Sequence, residues 1–289
     1  MGGHRMSDFV ALLGVKGGPA IRPGSNMPTS ILLSLAGKKI LVDAGLGVSK
    51  SVCDQGVALT AIDAILVTHM HSDHYLELGP LLHTAWTAGL NRPVPVYGPP
   101  RLAQYWRAFL TSMEDDIALR IEDEGRPDLA RLVELLAIPE TGPINLGGIT
   151  VHALENAHPP VRPSYAFRFE ARDKRIVLSG DTAPIQAMAE FARGADLLVH
   201  EAMLIEGVDA LMAHMTNGDD RLRIHILRSH TDAEDAGRIA TEAGVKHLAL
   251  NHFVPDGIPG FSESHWEAAV RRTWDGPLTL GRDGLRIAL

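Results

Sequence analysis

A run of metal-ligating side chains, T-H-M-H-S-D-H at residues 68–74, constrains this chain more than any other feature. Three imidazoles and a carboxylate lie within six positions, directly after the apolar run from Ala64 to Val67. A short apolar run of this kind predicts a buried strand, with the polar residues on the loop at its end. Side chains on a loop can converge without helical periodicity, so the motif predicts a metal site at a strand end.

The spacing within the motif predicts two ions. His69 and His71 are two residues apart and can face one ion, whereas Asp73 and His74 lie on the next bend and can face another. Imidazole and carboxylate ligands suit zinc, with manganese or iron as weaker alternatives. Because four groups cannot complete two ions, further ligands are needed. The candidates, each just past a strand-like run, are His158, Asp181 and His252.

The ordered set of motifs resembles the ribonuclease Z-like branch of the metallo-β-lactamase superfamily. In chain order these motifs are L-G-V-K-G-G-P at 13–19, L-V-D-A-G at 41–45, T-H-M-H-S-D-H, the isolated His158, S-G-D-T at 179–182, L-L-V-H-E-A at 197–202, S-H-T at 229–231 and L-A-L-N-H at 248–252. The pair H-E-A and S-H-T narrows the resemblance to this branch. It implies an α/β fold, a four-layer αββα sandwich, and we expect one domain over residues 1–289.

The resemblance also implies a ligand set for two Zn²⁺ ions per chain. One ion would bind His69, His71 and His158, the other would bind Asp73, His74 and His252, and Asp181 would bridge them. A metal-bridging hydroxide would then attack an ester, amide or phosphoryl centre. Asp73 would in addition hold or accept the proton of the attacking water.

Two further catalytic residues follow from the same resemblance. His230 of S-H-T would act at the leaving group as a general acid, together with Glu201 of H-E-A. A carboxylate beside an imidazole raises its pKa. However, His230 precedes a predicted helix that opens with a capping box at 231–234 and closes at Gly244, and the dipole of that helix would lower the pKa. The sequence leaves the balance open.

Competing interpretations exist for the later ligands. Asp181 lies in G-D-T-A-P, which can also cap a helix predicted from Pro184 to Arg193. His158 precedes two prolines and can be a turn residue, and His152 is a rival ligand inside the adjacent strand. The order of the motifs favours the metal-binding interpretation of Asp181 and His158.

Other polar residues are expected to be structural or to act indirectly. His252 is favoured over its rivals His247 and His265 because it directly follows L-A-L. Asp43 resembles the family's aspartate that orients a ligand imidazole without touching metal. His200 is expected to be structural at a strand end. Either His214 or His225 could face the site, and Arg162 and Arg168 could meet an anionic substrate, but solvated loop or surface positions are favoured for these four residues.

The remaining chain alternates strand and helix patterns. Strands are predicted at 31–35, 39–43, 64–68, 94–97, 149–154, 165–170, 175–179, 196–200 and 246–250, and a closing hairpin is predicted in the tail from Trp274. Residues 99–137 read as two inserted helices, a place where a lid or pocket can be built. Tyr105, Trp106 and Phe109 would line that pocket, although aromatics at helical spacing more often pack an insert onto the sheet.

Composition limits the classes of partner and compartment. The net charge of −8 argues mildly against a polyanionic substrate, so nucleic acid is disfavoured though not excluded. The single cysteine, Cys53, excludes an internal disulfide and fits a reducing cytoplasm. The N-terminus predicts no signal peptide, and no apolar run is long enough for a membrane span. We expect a cytoplasmic protein.

The sequence predicts a hydrolase but leaves its substrate open. The branch's tRNA-processing enzymes carry a long arm between the third histidine and the bridging aspartate, whereas only a short interval separates His158 from Asp181. We therefore favour a small ester, phosphodiester, sulfate ester or activated aryl substrate, with tRNA 3′ processing as the alternative. A di-iron redox role is less favoured because Ser72 stands where such proteins often carry glutamate. The resemblance implies a homodimer.

Overall fold

Two mixed seven-stranded sheets form the framework of the computed structural model, which describes residues 8–213 and 219–289. The strands of the first sheet are β1 (Phe9–Gly14), β2 (Ser30–Leu35), β3 (Lys38–Val42), β4 (Ala64–Leu66), β5 (Val94–Gly98), β6 (Val133–Ala137) and β14 (Leu285–Ala288). Their order is β14-β1-β2-β3-β4-β5-β6.

The second sheet has the order β13-β12-β11-β10-β9-β8-β7. Its strands are β7 (Ile144–Asn145), β8 (Thr150–Glu155), β9 (Tyr165–Ala171), β10 (Lys174–Leu178), β11 (Leu197–Met203), β12 (Leu248–Val254) and β13 (Leu278–Leu280). In both sheets antiparallel pairs at one end pass into parallel pairs, such as β3 with β4 and β10 with β11. The loops after the parallel-paired strands β4 and β10 carry five of the candidate ligands, whereas His158 follows the antiparallel strand β8.

Helices cover the outer faces of both sheets. The helices are α1 (Val48–Asp54), α2 (Ser72–Tyr75), α3 (Leu78–Thr87), α4 (Leu102–Ser112), α5 (Glu114–Glu124), α6 (Gln186–Phe191), α7 (Ile205–Ala213), α8 (Arg221–Ser229), α9 (Ala233–Ala243) and α10 (Glu263–Val270). Helices α1, α3 and α4 share a buried cluster with the first sheet, while α6, α9 and α10 pack on the second. The four-layer αββα prediction is confirmed.

Alternation along each strand divides the apolar residues between these layers. In β2, Leu33 belongs to the core shared by the sheets, whereas Leu32 faces the helical layer. Phe167 and Phe169 of β9 are fully buried in the shared core. Within the described ranges, no helix has the length and apolar character needed to cross a bilayer.

Three local predictions are wrong. The insert contains α4 and α5 as predicted, but Gly125 in the left-handed region ends α5, and residues 133–137 form strand β6 instead of continuing a helix. The tail is not a hairpin, because β13 pairs with β12 and β14 pairs with β1 in the other sheet. Asp232, not Thr231, caps α9 by accepting a hydrogen bond from the amide of Glu234.

Candidate metal centre

The first sheet supplies four polar side chains through the loop that follows β4. His69 and His74 are fully buried, Asp73 is nearly so, and His71 is partly exposed. The amide of Ala44 donates a 2.7 Å hydrogen bond to the carbonyl of His74, which ties the loop to the end of β3. The apolar run therefore buries the strand, and the polar motif begins where the strand stops.

The second sheet supplies three more side chains from three of its strands. His158 follows β8, Asp181 follows β10 and His252 lies within β12. Opposite β12, Glu201 pairs with Asn251 and Ala202 pairs with Phe253, so His252 is an extra, bulged residue with a φ of 47°. A bulge redirects a side chain out of the alternating pattern, which explains how this histidine reaches the strand end.

Gly180 gives Asp181 its position. Its φ is +57°, and a Cβ atom there would lie 2.4 Å from the carbonyl oxygen of Tyr165. Only glycine fits such a conformation and such a close approach. The helix-cap interpretation of Asp181 is wrong, because α6 begins at Gln186 with Ile185 as its N-cap.

Three imidazole nitrogens converge on one point. The Nδ1 atom of His71 lies 3.1 Å from Nε2 of His69 and 2.9 Å from Nε2 of His158. Nδ1 of His158 donates to the carbonyl of Ser229 at 2.9 Å, so its Nε2 presents a lone pair when the ring is neutral. Burial lowers the pKa of His158 to about 4, which keeps that ring neutral near pH 7.

The tautomer of His69 follows from its neighbour Thr68. The Thr68 hydroxyl lies 2.9 Å from the carboxylate of Asp43, which can only accept, so the hydroxyl donates its proton there. It can then only accept the 3.0 Å hydrogen bond from Nδ1 of His69. Nε2 of His69 is therefore also a lone pair, since burial lowers the pKa of this ring well below its ordinary value. Nε2 of His69 and Nε2 of His158 thus both present lone pairs beside Nδ1 of His71. A cation bound among these three nitrogens would accept the lone pairs.

A second group lies beside the first. Nε2 of His74 and Nε2 of His252 are buried and have no hydrogen-bond partner among the described residues. They lie 3.6 and 3.4 Å from Oδ2 of Asp73, which also accepts a 2.7 Å hydrogen bond from the amide of Gly18. Orphaned imidazole nitrogens around a carboxylate oxygen are the donor set that a divalent ion would satisfy.

Asp181 lies between the two groups. Its Oδ2 atom is 3.1 Å from Nε2 of His252 and 3.3 Å from Nε2 of His74, and 3.7 Å from Nε2 of His69 on the other side. Burial would raise the pKa of Asp181, but the surrounding imidazoles hold it well below its usual range. Three overlapping groups could each hold a cation: His69, His71, His158 and Asp181; Asp73, His74 and His252; and Asp181, His230 and His252. The first two groups are consistent with a dinuclear metal site.

The rival histidines lie elsewhere. His152 is near Glu170, His247 bonds to the hydroxyl of Thr279 at 2.9 Å, and His265 joins the capping box of α10. His200 is buried in β11, where Nδ1 donates to a backbone carbonyl, in keeping with a structural role. His214 lies outside the described residues. Arg168 is partly buried against Phe191, whereas Arg162 is exposed, and neither lines the centre.

Asp43 orients the imidazole of His74 through a hydrogen bond. Its Oδ2 atom accepts a 2.7 Å hydrogen bond from Nδ1 of His74, and Oδ1 accepts one from the Thr68 amide at 2.8 Å. Asp43 has a φ of 62°, a conformation that costs free energy in residues other than glycine. The strained backbone turns this carboxylate toward the imidazole, where it fixes the ring's orientation as expected.

His230 and Glu201 form a buried pair at the rim of the centre. Nδ1 of His230 is 2.8 Å from Oε2 of Glu201, whose Oε1 accepts from the amide of Thr182 at 2.7 Å. Burial alone would lower the pKa of His230, but the Glu201 carboxylate raises it to about 9. The carboxylate therefore outweighs the effect of burial on the pKa of His230.

A pocket of about 330 Å³ opens over the two clusters. One wall is apolar and includes Leu211, Leu222, Ile226 and Val254, while Lys16 and Arg22 add positive charge. Residues 99–137 do not line this pocket. The Tyr105 hydroxyl instead accepts a hydrogen bond from the amide of Gly79, and Trp106 stacks on Phe109 in the helical layer. These aromatics therefore pack the insert onto the sheet, as the alternative interpretation predicted, and do not line this pocket.

The sequence did not assign two of the pocket residues to the site. His225, for which a solvated loop position was favoured over one facing the site, lies on α8 with its ring centroid 5.7 Å from that of His71. Lys16 was only part of a motif, yet it is buried and its Nζ donates to the carbonyls of Gly17 and Gly18. The helical spacing of His225 and Ser229 was the available signal for His225.

Comparisons with known proteins agree with this geometry. The family model described as Anti-Pycsar protein Apyc1 matches residues 10–252. The Ribonuclease Z of Mycobacterium sp. (strain KMS) is 34% identical over 282 residues, which cover 96% of this chain and 95% of the relative. The Ribonuclease Z of Mycobacterium bovis (strain BCG / Pasteur 1173P2) is 32% identical over 284 residues, covering 96% and 97%. The chain belongs to the Apyc1 family and, more broadly, to the ribonuclease Z-like metallo-β-lactamase family.

Solved structures agree on the fold of this ribonuclease Z-like chain. The metallo-β-lactamase fold protein YhfI from Bacillus subtilis has a TM-score of 0.71 at 21% identity, covering 97% of this chain and 99% of that one. The short form of human tRNase Z has a TM-score of 0.67 at 20% identity, covering 97% and 98%. The chain is therefore a metal-dependent hydrolase of the metallo-β-lactamase superfamily, as the sequence predicted.

Proposed function

We propose that this chain is a dinuclear metal-dependent phosphodiesterase of the ribonuclease Z type. The observation that carries the proposal is the buried His230–Glu201 pair at the rim of two His/Asp clusters. A hydrolase that breaks a phosphodiester bond has to neutralise charge on the phosphoryl group and protonate the leaving oxygen. The clusters suit the first task and the pair suits the second.

Seven residues would hold the two ions. His69, His71 and His158 form one ligand group, Asp73, His74 and His252 form the other, and Asp181 is placed to bridge them. When bound, two divalent ions would supply the charge that activates a water molecule and offsets the negative charge of the phosphoryl group. Zinc suits this mixture of imidazole and carboxylate donors, with manganese or iron as alternatives.

His230 is assigned as the general acid. Its Nδ1 proton is held by Glu201, so Nε2 is the atom left to deliver a proton into the pocket. The negative charge of Glu201 favours the imidazolium form from which that proton is given. The proton passes from Nε2 to the leaving oxygen as the phosphorus–oxygen bond breaks, and the alcohol departs neutral.

Asp73 is assigned to hold or accept a proton of the attacking water. Its Oδ2 faces His74 and His252 and is also fixed by the amide of Gly18. The neighbouring imidazoles outweigh burial and lower the pKa of Asp73, so the carboxylate is ionised and can hold a water proton. The same residue would thus act as a ligand and as a proton acceptor.

The names of the relatives favour RNA as the substrate of this chain. Proteins named Ribonuclease Z align with this chain over nearly the whole length of both, which leaves those relatives no room for a long additional arm. The short β9–β10 hairpin between His158 and Asp181 therefore does not separate this chain from them, and the absence of a long arm does not count against an RNA substrate. The preference for small esters, sulfate esters and aryl compounds is not supported by the relatives.

A small phosphodiester is the second candidate. The pocket of about 330 Å³ is at the lower end of the range for small-ligand sites and has one apolar wall. The net charge of −8 also favours a small substrate over a long polyanion. A single nucleotide fits such a volume, so a mononucleotide phosphodiester is the form to test.

The assembly and location are part of the same proposal. The resemblance to the branch favours a homodimer, which light scattering on the purified protein tests directly. The lone Cys53 is exposed and fits a reducing compartment such as the cytoplasm.

One experiment tests the function and separates its two substrates. Protein purified without added metal is assayed for metal by plasma mass spectrometry, then for hydrolysis of a precursor tRNA, a 3′,5′-cyclic mononucleotide, bis(p-nitrophenyl) phosphate and p-nitrophenyl sulfate. Close to two zinc ions per chain with cleavage of the precursor tRNA would support the lead proposal. Turnover of the mononucleotide alone would favour the second candidate, and activity limited to the sulfate ester would refute both.

A further inference from the structure

His225 is a polar side chain in the pocket that the proposed mechanism does not use. It lies on α8, partly exposed, and the structure gives no hydrogen bond to either of its ring nitrogens among the described residues. It is absent from the groups that can hold a metal ion. An imidazole without a protein partner, facing an active-site pocket, is available to a ligand.

Helix α8 is held firmly over the centre. The carbonyl of Ser229, at the end of this helix, accepts the 2.9 Å hydrogen bond from Nδ1 of His158, and its hydroxyl donates to the carbonyl of Pro159 at 2.6 Å. His225 precedes Ser229 by four residues, so both lie on one face of the helix. The anchor that orients a candidate metal ligand therefore also aims His225 at the clusters.

The ring of His225 faces three imidazoles of the site. Its centroid is 5.7 Å from that of His71, 6.2 Å from that of His158 and 6.4 Å from that of His230. An N–H···O hydrogen bond places its oxygen about 2.9 Å from the donor nitrogen. His71, His225 and His230 all line the pocket, so a group bound among these rings would lie within hydrogen-bonding reach of His225.

We propose that His225 contacts the substrate by donating a hydrogen bond to a nonbridging oxygen of its phosphoryl group. This inference rests on the proposed function, because it assigns the phosphoryl group to the space between the clusters and His230. Every protonation state of an imidazole present near neutral pH carries at least one N–H donor, so the contact does not depend on the ring's charge. Helix α8 would then supply a substrate-contacting wall of the pocket through His225 and Ile226.

The test compares His225→Ala with His225→Gln, which keeps an N–H donor, and with Ile224→Ala. Ile224 is the adjacent residue, is 53% exposed and does not line the pocket. Metal content, the kinetics of bis(p-nitrophenyl) phosphate hydrolysis, and the affinity of the zinc-loaded protein for inorganic phosphate by calorimetry are measured for each variant. Phosphate affinity is independent of turnover, so it tests the contact even if the proposed function fails.

We expect His225→Ala to keep its metal, to raise KM and to weaken phosphate binding, each by about tenfold, with kcat little changed. His225→Gln should recover part of this loss, and Ile224→Ala should match the original protein. Unchanged phosphate affinity in folded His225→Ala would overturn the contact, and so would loss of metal, since His225 would then be a ligand. Weaker phosphate binding in a protein that hydrolyses no phosphodiester would support the contact while refuting the proposed function.

Discussion

Nδ1 of His230 lies 2.8 Å from Oε2 of Glu201, and both side chains are almost closed to solvent. We expect His230→Ala to keep both metal ions, because the seven proposed ligands do not include its ring; loss of metal would instead assign His230 to the third group, with Asp181 and His252. The rate should fall about 10²- to 10⁴-fold for poor leaving groups, the usual contribution of a general acid, and less for p-nitrophenolate. Steady-state kinetics on a series of leaving groups tests this, and equal losses across the series would contradict the assignment.

Glu201→Gln should move the alkaline limit of activity to lower pH. The pKa of His230 is raised to about 9, so the acid form is present below this pH and is lost as the pH rises through it. Removing the carboxylate charge should lower that pKa by about 1–2 units, from the strength of a charged hydrogen bond. The pH dependence of kcat reports the shift. An alkaline limb at the same pH in both proteins would show that another group sets it.

Asp43→Asn should weaken metal binding without removing a ligand. The substitution removes the negative charge of the group that accepts the hydrogen bond from Nδ1 of His74. Loss of a residue that orients a metal ligand typically lowers metal affinity by about 10- to 100-fold. Metal retained after dialysis against a graded chelator series gives the measurement. Asp54→Asn, at an exposed residue paired with Lys50, is the matched control and should retain metal normally.

Removal of metal should lower the melting temperature. At a free ion concentration one hundred times Kd, a single site stabilises the folded state by about 2.7 kcal/mol. For a chain of this size that corresponds to roughly 5–10 °C. Thermal unfolding followed by circular dichroism, before and after chelation and again after zinc is restored, provides the check. A melting temperature that stays constant while metal content falls would argue against a folded-state metal centre.

Gly180→Ala and Gly194→Ala form a matched pair. Both glycines have positive φ, but a Cβ at Gly180 would lie 2.4 Å from a backbone oxygen, whereas one at Gly194 would meet nothing within 4 Å. Gly194→Ala should cost only about 1–2 kcal/mol from its backbone conformation. Gly180→Ala should in addition displace Asp181 and reduce metal content. Chemical denaturation and metal analysis separate the two effects, and equal metal content in both variants would be inconsistent with the role given to Gly180.

The strands and the position of the site were predictable because both depend on local patterns. Apolar runs mark the strands, and the polar residues after them had to gather where the strands end. The tail was not predictable in this way, since β13 and β14 take partners in different sheets and such pairing leaves no local trace. Residues 133–137 were assigned to a helix because their strand partner, β5, is distant in sequence.

The candidate site shows the same division between local and distant information. The position of His252 after an apolar run identified it, but the bulge that turns its side chain depends on the register with β11. For His225 the sequence favoured a solvated position over one facing the site, because the contact by which Ser229 anchors the helix to His158 is a distant one. Tertiary contacts, not residue type, decide which histidines face the pocket.

The division of the candidate ligands between the two sheets makes the centre a reporter of folding. The loop after β4 supplies four of them, and β8, β10 and β12 of the opposite sheet lead to the other three. A chain in which only one sheet has formed would possess neither complete ligand group. The ions would therefore bind only after the two sheets have docked. The rate of metal uptake during refolding would then report the rate of this last folding step.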